Sequence, residues 1–496
     1  MLAKGRYRMT HNEVARHWIG AEWVDSPHHR QSINPATGEV IGVYADGGVA
    51  EAGAAIAAAR TAFIDTTWRK DRALRSRVLN ELADLFETHF QELSRLLTLE
   101  NGKVRGEADF EMSLVAPKLR YYAALALTDA GRALQARPGR FSIVLREPAG
   151  VAGLIVPWNS PVILLVRSLA PALAAGATAV VKMPAQTAQV NAKIAEVIAQ
   201  APSLPTGVVN IFTEHGSEGA RLIVESPDVP VISFTGSTAT GRMISAAAAK
   251  QLKAVGNELG GKTPIVVFDD ADVNALLPVL EKAVTVFAGQ FCMTGSRLLV
   301  QRGIADKVRD GISARLERVR VGPGSDPASD MGPMIDKQNV ERVDNIVRDA
   351  IASGARSIVR GGPVSDGPLA GGAFYRPTLL EVSGDMPIVA QEVFGPVLVM
   401  QVFDTEAEAI QLANATEYGL AASVWSRDAD RPLRVASEID AGTVWINEWA
   451  SVLDEFEEGG FKQSGVGRLN GVAALELFLE SKHITQNVSG RISEQS

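Results

Sequence analysis

Apolar and polar positions alternate in different ways along the chain, and each pattern predicts an element. The start is short-period and turn-rich. His17-Trp18-Ile19-Gly20-Ala21-Glu22-Trp23-Val24 predicts strand, and Asn34-Pro35-Ala36-Thr37-Gly38-Glu39 predicts a turn. Alanines and leucines at helical spacing then predict helices over residues 49–63, 72–100 and 106–126. Residues 133–147 read as a hairpin turning at Arg137-Pro138-Gly139-Arg140. Beyond it the pattern becomes strand, helix, strand. Strands are predicted at 151–156, 178–182, 208–212 and 231–234, with helices at 162–175 and 189–201. Such alternation predicts a parallel sheet flanked by helices. A second alternating region begins at Glu258-Leu259-Gly260-Gly261-Lys262 and runs to about Trp445. The glycine-rich residues 458–471 predict a long functional loop, and residues 482–488 a last strand. No internal repeat interrupts this order.

At 496 residues the chain is long enough for two or more domains, and 46% hydrophobic residues supply an ample core. The net charge of −8 and the lack of a basic block argue against a nucleic-acid partner. Lys4, Arg6 and Arg8 are too few to change that, and they precede Met9, a possible alternative start. No continuous apolar segment follows them, and the apolar residues 171–181 are too few to span a bilayer. The expectation is a soluble, cytoplasmic protein without a membrane partner. The only cysteine is Cys292, which fits a reducing compartment and excludes an internal disulfide or a multi-thiolate metal site. No metal-ligand cluster is expected; His28-His29 reads as a solvated turn. A lone thiol is either a small buried hydrophobe or a covalent catalyst.

Around the thiol runs Gly289-Gln290-Phe291-Cys292-Met293-Thr294-Gly295-Ser296-Arg297. Pro157-Trp158-Asn159, Phe234-Thr235-Gly236-Ser237-Thr238 and the Glu258 motif precede it; Gln391-Glu392-Val393-Phe394-Gly395-Pro396 and Gly460-Phe461-Lys462-Gln463-Ser464-Gly465 follow. In this order, and over nearly the whole chain, these segments resemble the aldehyde dehydrogenase superfamily. The resemblance implies an α/β fold: a Rossmann-like nucleotide-binding domain (1–126 and 149–260), an α/β catalytic domain (261–457) and a β-hairpin oligomerisation element (127–148 and 476–496). It implies a homodimer or homotetramer, because an exposed hairpin edge calls for a symmetric partner.

Aldehyde oxidation by hydride transfer needs a nucleophile, oxyanion donors and a base that activates water. The resemblance assigns Cys292 as nucleophile, forming a hemithioacetal and then a thioester. It assigns Glu258 as general base, and Asn159 with the Cys292 backbone N–H as oxyanion donors. Burial would raise the Glu258 pKa toward neutrality. The cofactor is NAD or NADP. Trp158 and Ser237 are implied at the pyrophosphate, Lys182 at the adenosine ribose, Glu392 at the nicotinamide ribose and Phe394 beside the nicotinamide. Val156, Pro157, Gly236 and Leu259 complete that site. The glycines Gly236 and Gly241 do not form a Gly-x-Gly-x-x-Gly fingerprint, so the phosphate reading rests on a helix N-terminus after a strand.

Several positions depart from the family pattern. Ala185 stands where NAD-preferring members commonly carry Glu, so NADP is expected to be tolerated. Ser168 and Leu469 replace a Lys and a Glu that interact near the general base in many members. In the substrate funnel, Ser160 follows Asn159, Arg167 replaces a bulky apolar residue, and Glu457-Glu458 replace Pro-Phe. Arg167 either clamps a substrate carboxylate or pairs with Glu457 or Glu458. The alternatives to a hydrolytic enzyme are a CoA-acylating relative, disfavoured by Glu258, and an inactive nucleotide-binding or structural relative.

Overall fold

The computed structural model describes residues 14–488, so the basic segment with Lys4, Arg6, Arg8 and Met9 lies outside the described residues. The first predicted strand is two strands, His17–Ile19 and Glu22–Val24, reversing over Gly20 and Ala21, both with positive φ. Trp18 and Trp23 face each other across the pair with ring centroids 4.9 Å apart. The predicted helix over 72–100 is broken at His89, giving Arg72–Thr88 and Phe90–Leu96 before a wider turn at Leu97–Asn101. The next is broken at Leu114 into Arg105–Ser113 and Val115–Thr128. Periodicity survives such breaks because the apolar face stays on one core, which is why the pattern alone does not reveal them.

Eight strands form the first large sheet. In spatial order they are Gly465–Val466, Ala254–Glu258, Val231–Thr235, Val151–Ile155, Thr178–Pro184, Val209–Glu214, His17–Ile19 and Glu22–Val24. The five central strands are parallel. From Val151–Ile155 the chain moves outward through Thr178–Pro184 and Val209–Glu214. It then returns to the other side with Val231–Thr235. The strand order thus reverses between Val151–Ile155 and Val231–Thr235, and a crevice opens there at the carboxyl ends, the usual ligand position in such sheets. Both faces are apolar, as a parallel sheet requires. Ala152 and Leu154 pack with the helix Pro161–Ala175, while Val151 and Ile155 pack with Glu218–Glu225 on the other side.

The second large sheet has seven strands, ordered Arg356–Val359, Thr378–Glu381, Val397–Phe403, Arg297–Gln301, Pro264–Val267, Ala421–Trp425 and Thr443–Ile446. All its pairings are parallel except the Arg356–Val359 edge. The predicted hairpin is Arg132–Arg137 with Arg140–Pro148, and Leu479–Asn487 adds a third strand paired along its whole length with Arg140–Pro148.

Residues 458–471 are not simply a loop. Gly465–Val466 pairs with Asn257 and Glu258 at the edge of the first sheet, Phe461–Lys462 pairs with Tyr418–Gly419 beside the second, and Glu458 bridges Leu469. This strap ties the two sheet layers together and fixes the backbone of Glu258 where its strand ends.

Candidate active site

The segment bearing Cys292 begins where the helix Val273–Thr285 ends. Phe287, Ala288 and Gly289 follow with φ of 50°, 53° and 72°, three successive left-handed residues. Two of them carry side chains, so the surroundings must hold the turn. The Phe287 N–H donates to Glu107 at 3.2 Å, the Lys103 ammonium sits 3.8 Å from the centre of the Phe287 ring, and Phe291 meets that ring edge-on. Gly289 has a second reason to be glycine: a Cβ there would lie 2.2 Å from the Gly395 carbonyl carbon. That approach brings the thiol segment onto the Glu392–Phe394 segment. The Gln290 side chain receives the Ile335 N–H, and the Trp449 indole N–H donates to the Met293 carbonyl. The thiol is thus presented from a braced turn, and Cys292 is partly exposed.

A cleft of about 350 Å³ opens over it at the crevice of the first sheet. Cys292, Glu258 and Asn159 share this cleft with Pro157, Trp158, Gly236, Ser237, Leu259, Glu392 and Phe394. Arg167 and Glu458 also line it. One amide hydrogen of Asn159 goes to the Gln290 carbonyl at 3.1 Å, which orients the side chain and leaves the second N–H to donate elsewhere. Ser237 caps the helix Thr238–Ala249, its hydroxyl accepting from the Thr240 N–H. Glu392 accepts from the Gly261 N–H at 3.1 Å. Gly260 permits this, because a Cβ there would stand 2.3 Å from the carboxylate. Trp158 and Phe394 meet edge-on at 5.7 Å.

Burial governs the protonation of these groups. It pushes Glu258 up to about 8, helped by Glu458 and opposed by Arg167 and Arg468. It pushes the Cys292 thiol up to about 12, opposed by Arg167 and reinforced by Glu458, Glu392 and Glu258. Glu392 rises to about 7 through burial, against its Gly261 hydrogen bond and the charges of Lys262 and Arg342. Lys262 falls to about 7 through burial and the neighbouring Arg297, and its ammonium is buried without a hydrogen-bond partner.

Arg167 pairs with Glu458, not Glu457. Its guanidinium donates to Glu458 at 2.7 Å and to the Thr235 hydroxyl at 3.3 Å, with both charged groups buried. Burial alone would weaken its hold on a proton, but Glu458, Glu258 and Cys292 together outweigh that and raise it. Asn470 donates to the other Glu458 oxygen at 3.0 Å, and Lys118 donates to Asn470 at 2.7 Å.

Five expected residues do not line the cleft. Ser160 turns away from it: its hydroxyl accepts from the buried Lys103, which also pairs with Glu111. Glu457 faces the other way and accepts from the Ala473 N–H. Val156 is buried in the first sheet layer, its N–H on the Lys182 carbonyl. Lys182 and Ala185 lie one strand further out, at the end of Thr178–Pro184. Of the departures, Ser168 receives the Ser233 hydroxyl at 3.1 Å, and Leu469 is buried opposite Glu458.

Leu164, Thr235, Asn339, Arg342 and Leu420 also line the cleft, though the sequence did not single them out. Thr235 was within reach, since it directly precedes Gly236. Asn339 and Arg342 carry no local signal. They sit three apart on one face of the helix Lys337–Ala352, and Arg342 donates to Asn339 and to the Phe394 carbonyl.

Among the described residues no group of His, Cys, Asp and Glu could hold a metal ion, and no helix is long and apolar enough to cross a membrane. Residues 23–484 match the aldehyde dehydrogenase family. The chain is 38% identical to betaine aldehyde dehydrogenase of Bacillus subtilis, over 95% of this chain and 97% of that one. It is 37% identical to phenylacetaldehyde dehydrogenase of Pseudomonas fluorescens, over 94% of each. A crystal structure of betaine aldehyde dehydrogenase from Staphylococcus aureus in complex with NAD+ superposes with a TM-score of 0.94 at 36% identity, covering 97% of both chains. The chain therefore belongs to the aldehyde dehydrogenase family, as an oxidoreductase that acts on the aldehyde group.

Proposed function

We propose that the cleft oxidises an aldehyde to its carboxylic acid by covalent catalysis at Cys292, with NAD as the cofactor. The observation that carries this reading is the meeting of Cys292, Glu258 and Asn159 in one cleft with Ser237 and Glu392. A dinucleotide suits the residues present. The helix capped by Ser237 offers backbone N–H groups to a pyrophosphate, Glu392 offers a carboxylate to ribose hydroxyls, and Phe394 and Trp158 offer apolar surface. When bound, the nicotinamide accepts the hydride.

The chain's own residues do the rest. The Cys292 thiol loses its proton to solvent water, and the sulfur adds to the carbonyl carbon. The oxyanion that forms takes hydrogen bonds from the second Asn159 N–H and from the Cys292 backbone N–H, which has no protein acceptor among the described residues. After oxidation the acyl group remains on sulfur as a thioester. Glu258 takes a proton from water, the hydroxide adds to the thioester carbon, and the thiolate leaves. Transfer to CoA is the poorer reading because the cleft that holds Cys292 also holds Glu258, a base for water.

Ala185 places no carboxylate against a 2′-phosphate, so NADP entry depends on the charges of neighbouring strands. Arg167 is already neutralised by Glu458, which speaks for aldehydes without a carboxylate. The exposed apolar residues Leu134, Phe141 and Ile484 on the open hairpin sheet speak for association with further copies of the chain. A single, partly exposed thiol suits the cytoplasm.

The test is the initial rate of NADH formation by wild type and Cys292→Ala, across neutral, cationic and carboxylate-bearing aldehydes, with and without CoA. Turnover by wild type alone, independent of CoA, is the expected outcome. Equal rates in the variant would refute the thiol mechanism. NAD binding with no turnover of any aldehyde would favour the inactive relative.

A further inference from the structure

Away from the cleft, the hairpin encloses a second and larger opening. A cavity of about 750 Å³ lies between Arg132–Arg137 and Arg140–Pro148 on one side and the helices Arg72–Thr88, Val115–Thr128 and Pro161–Ala175 on the other. It shares no lining residue with the cleft at Cys292. Seven cationic side chains line it against two carboxylates. Both carboxylates are already taken: Asp129 pairs with Arg146 at 2.9 Å, and Glu147 pairs with Lys482. The other five cations, Arg69, Lys70, Arg72, Arg75 and Arg132, form no ion pair among the described residues. Like charges gathered in a half-enclosed space repel one another more than they would in open water.

Arg75 is the most demanding of the five. It is 4% exposed, and its Nε is buried without a hydrogen-bond partner. One Nη donates to the Ala175 carbonyl at 2.6 Å, where the helix Pro161–Ala175 ends. Burial, and then the neighbouring Arg72, pull its pKa down to about 10. Arg72 and Arg75 stand three apart and so share one face at the start of Arg72–Thr88. That end of a helix favours anions and disfavours cations. The first turn carries no acidic residue, and the capping Asp71 is spent on the Leu74 N–H. The chain therefore leaves this cluster short of negative charge.

We propose that this cavity binds a small molecule carrying two or more phosphate groups, held between the start of Arg72–Thr88 and the hairpin. Guanidinium groups take phosphate oxygens in a bidentate fork, and an ammonium adds a point charge. Phe63, Ala126 and Leu479 give the organic part of such a molecule an apolar wall. The volume suits a ligand of that size, since small-molecule sites span about 300–1,000 Å³. Because the cations come from both walls, the bound anion ties the hairpin to the helices of the first sheet layer.

The experiment is calorimetric titration of the full chain with inorganic pyrophosphate, with and without saturating NAD, at an ionic strength matched by potassium chloride. Wild type is expected to bind it saturably, with the same Kd in both conditions and at least about tenfold more tightly than inorganic phosphate. Its melting temperature should rise with pyrophosphate concentration. Arg75→Met should abolish the binding. Should that variant fail to fold, Lys70→Glu/Arg132→Glu decides: both residues are exposed, and reversing their charges should weaken binding at least about tenfold. No saturable binding by wild type, equal affinity for inorganic phosphate, or undiminished binding in Lys70→Glu/Arg132→Glu would overturn the proposal. Binding that NAD abolishes would place the anion in the cleft and overturn it too. A molar mass by light scattering that falls as pyrophosphate binds would give the cavity to an acidic segment of a second copy, against the proposal.

Discussion

The pH dependence of thioester hydrolysis gives the sharpest test of how the cleft works. Glu258 must be ionised to take a proton from water, and burial holds it at about 8. A carboxylate with that pKa is ionised in about one molecule in ten at pH 7 and about nine in ten at pH 9. Hydrolysis should therefore rise roughly tenfold across that interval and then level off. The thiol titrates elsewhere, at about 12, so a step limited by the Cys292 thiolate would keep rising beyond pH 9 without a plateau. Rapid mixing separates the two steps when hydrolysis limits turnover. The burst of NADH reports formation of the thioester, and the steady rate after it reports hydrolysis. Arg167 is the strongest influence opposing burial at Glu258, so Arg167→Met should move the plateau to higher pH. Glu258→Gln should remove the plateau together with most of the steady rate while leaving the burst. A steady rate that is flat from pH 6 to 9, or a midpoint that falls in Arg167→Met, would refute the reasoning.

Three further outcomes follow from the same geometry. Glu258→Gln should be more thermostable than wild type at pH 9 and equal to it near pH 4; because the folded pKa lies above the usual carboxylate value, wild type loses stability as pH rises through the interval up to about 8, on the order of a few kcal/mol. Thermal denaturation at several pH values checks this. Asn159→Ala should lower kcat by roughly 10²–10³-fold with the burst rate falling in step, since an oxyanion donor acts only in the transition state; an unchanged burst rate would remove Asn159 from that role. Gly289→Ala should destabilise the protein and abolish turnover, because the Cβ meets the Gly395 backbone and φ is positive; normal folding and rate would mean that the Cys292 segment does not depend on this contact.

Much of the fold was legible because each element repeats its period over enough residues. Four of the five central strands of the first sheet are short apolar runs separated by helices, and β-α alternation of that kind has few packed solutions; the fifth, Ala254–Glu258, is half polar and was not predicted. Helix breaks at His89 and Leu114 were hidden because they leave the apolar face intact. The strap over 458–471 was hidden for another reason. Its glycines read as flexibility, whereas its pairing partners, Asn257, Glu258 and Tyr418, lie far away in sequence. The same distance concealed Arg342. At the site, motifs indicated Cys292, Glu258 and Asn159, but a motif carries no direction for a side chain. Ser160 sits next to Asn159 and turns to Lys103; Glu457 sits next to Glu458 and turns to Ala473. Helical and strand geometry, not proximity in sequence, decides which neighbour enters the cleft.

The charges beside Glu258 show what that geometry achieves. Ser168 and Leu469 lack the Lys and Glu expected there, and a cleft with neither would leave Glu258 and the Cys292 thiol with little to oppose burial. The structure supplies a cation and an acid one step away. Arg167 precedes Ser168 on the same helix, and Glu458 is bridged backbone-to-backbone with Leu469. The buried pair forms at 2.7 Å, with Asn470 holding the second Glu458 oxygen. Losing either partner would strand the other as an unpaired buried charge, a loss of about 3–5 kcal/mol, so the two residues function as a unit. The unit is asymmetric toward the reacting groups. Arg167 draws Glu258 and Cys292 toward ionisation, while Glu458 opposes it more weakly in both cases. An Arg–Glu pair is therefore net cationic in its effect on nucleophile and base while adding no free charge to the funnel. For that reason a carboxylate-bearing aldehyde gains no clamp from Arg167 unless it displaces Glu458, and the same residue that invites a substrate reading in the sequence acts in the folded protein on the acid–base chemistry instead.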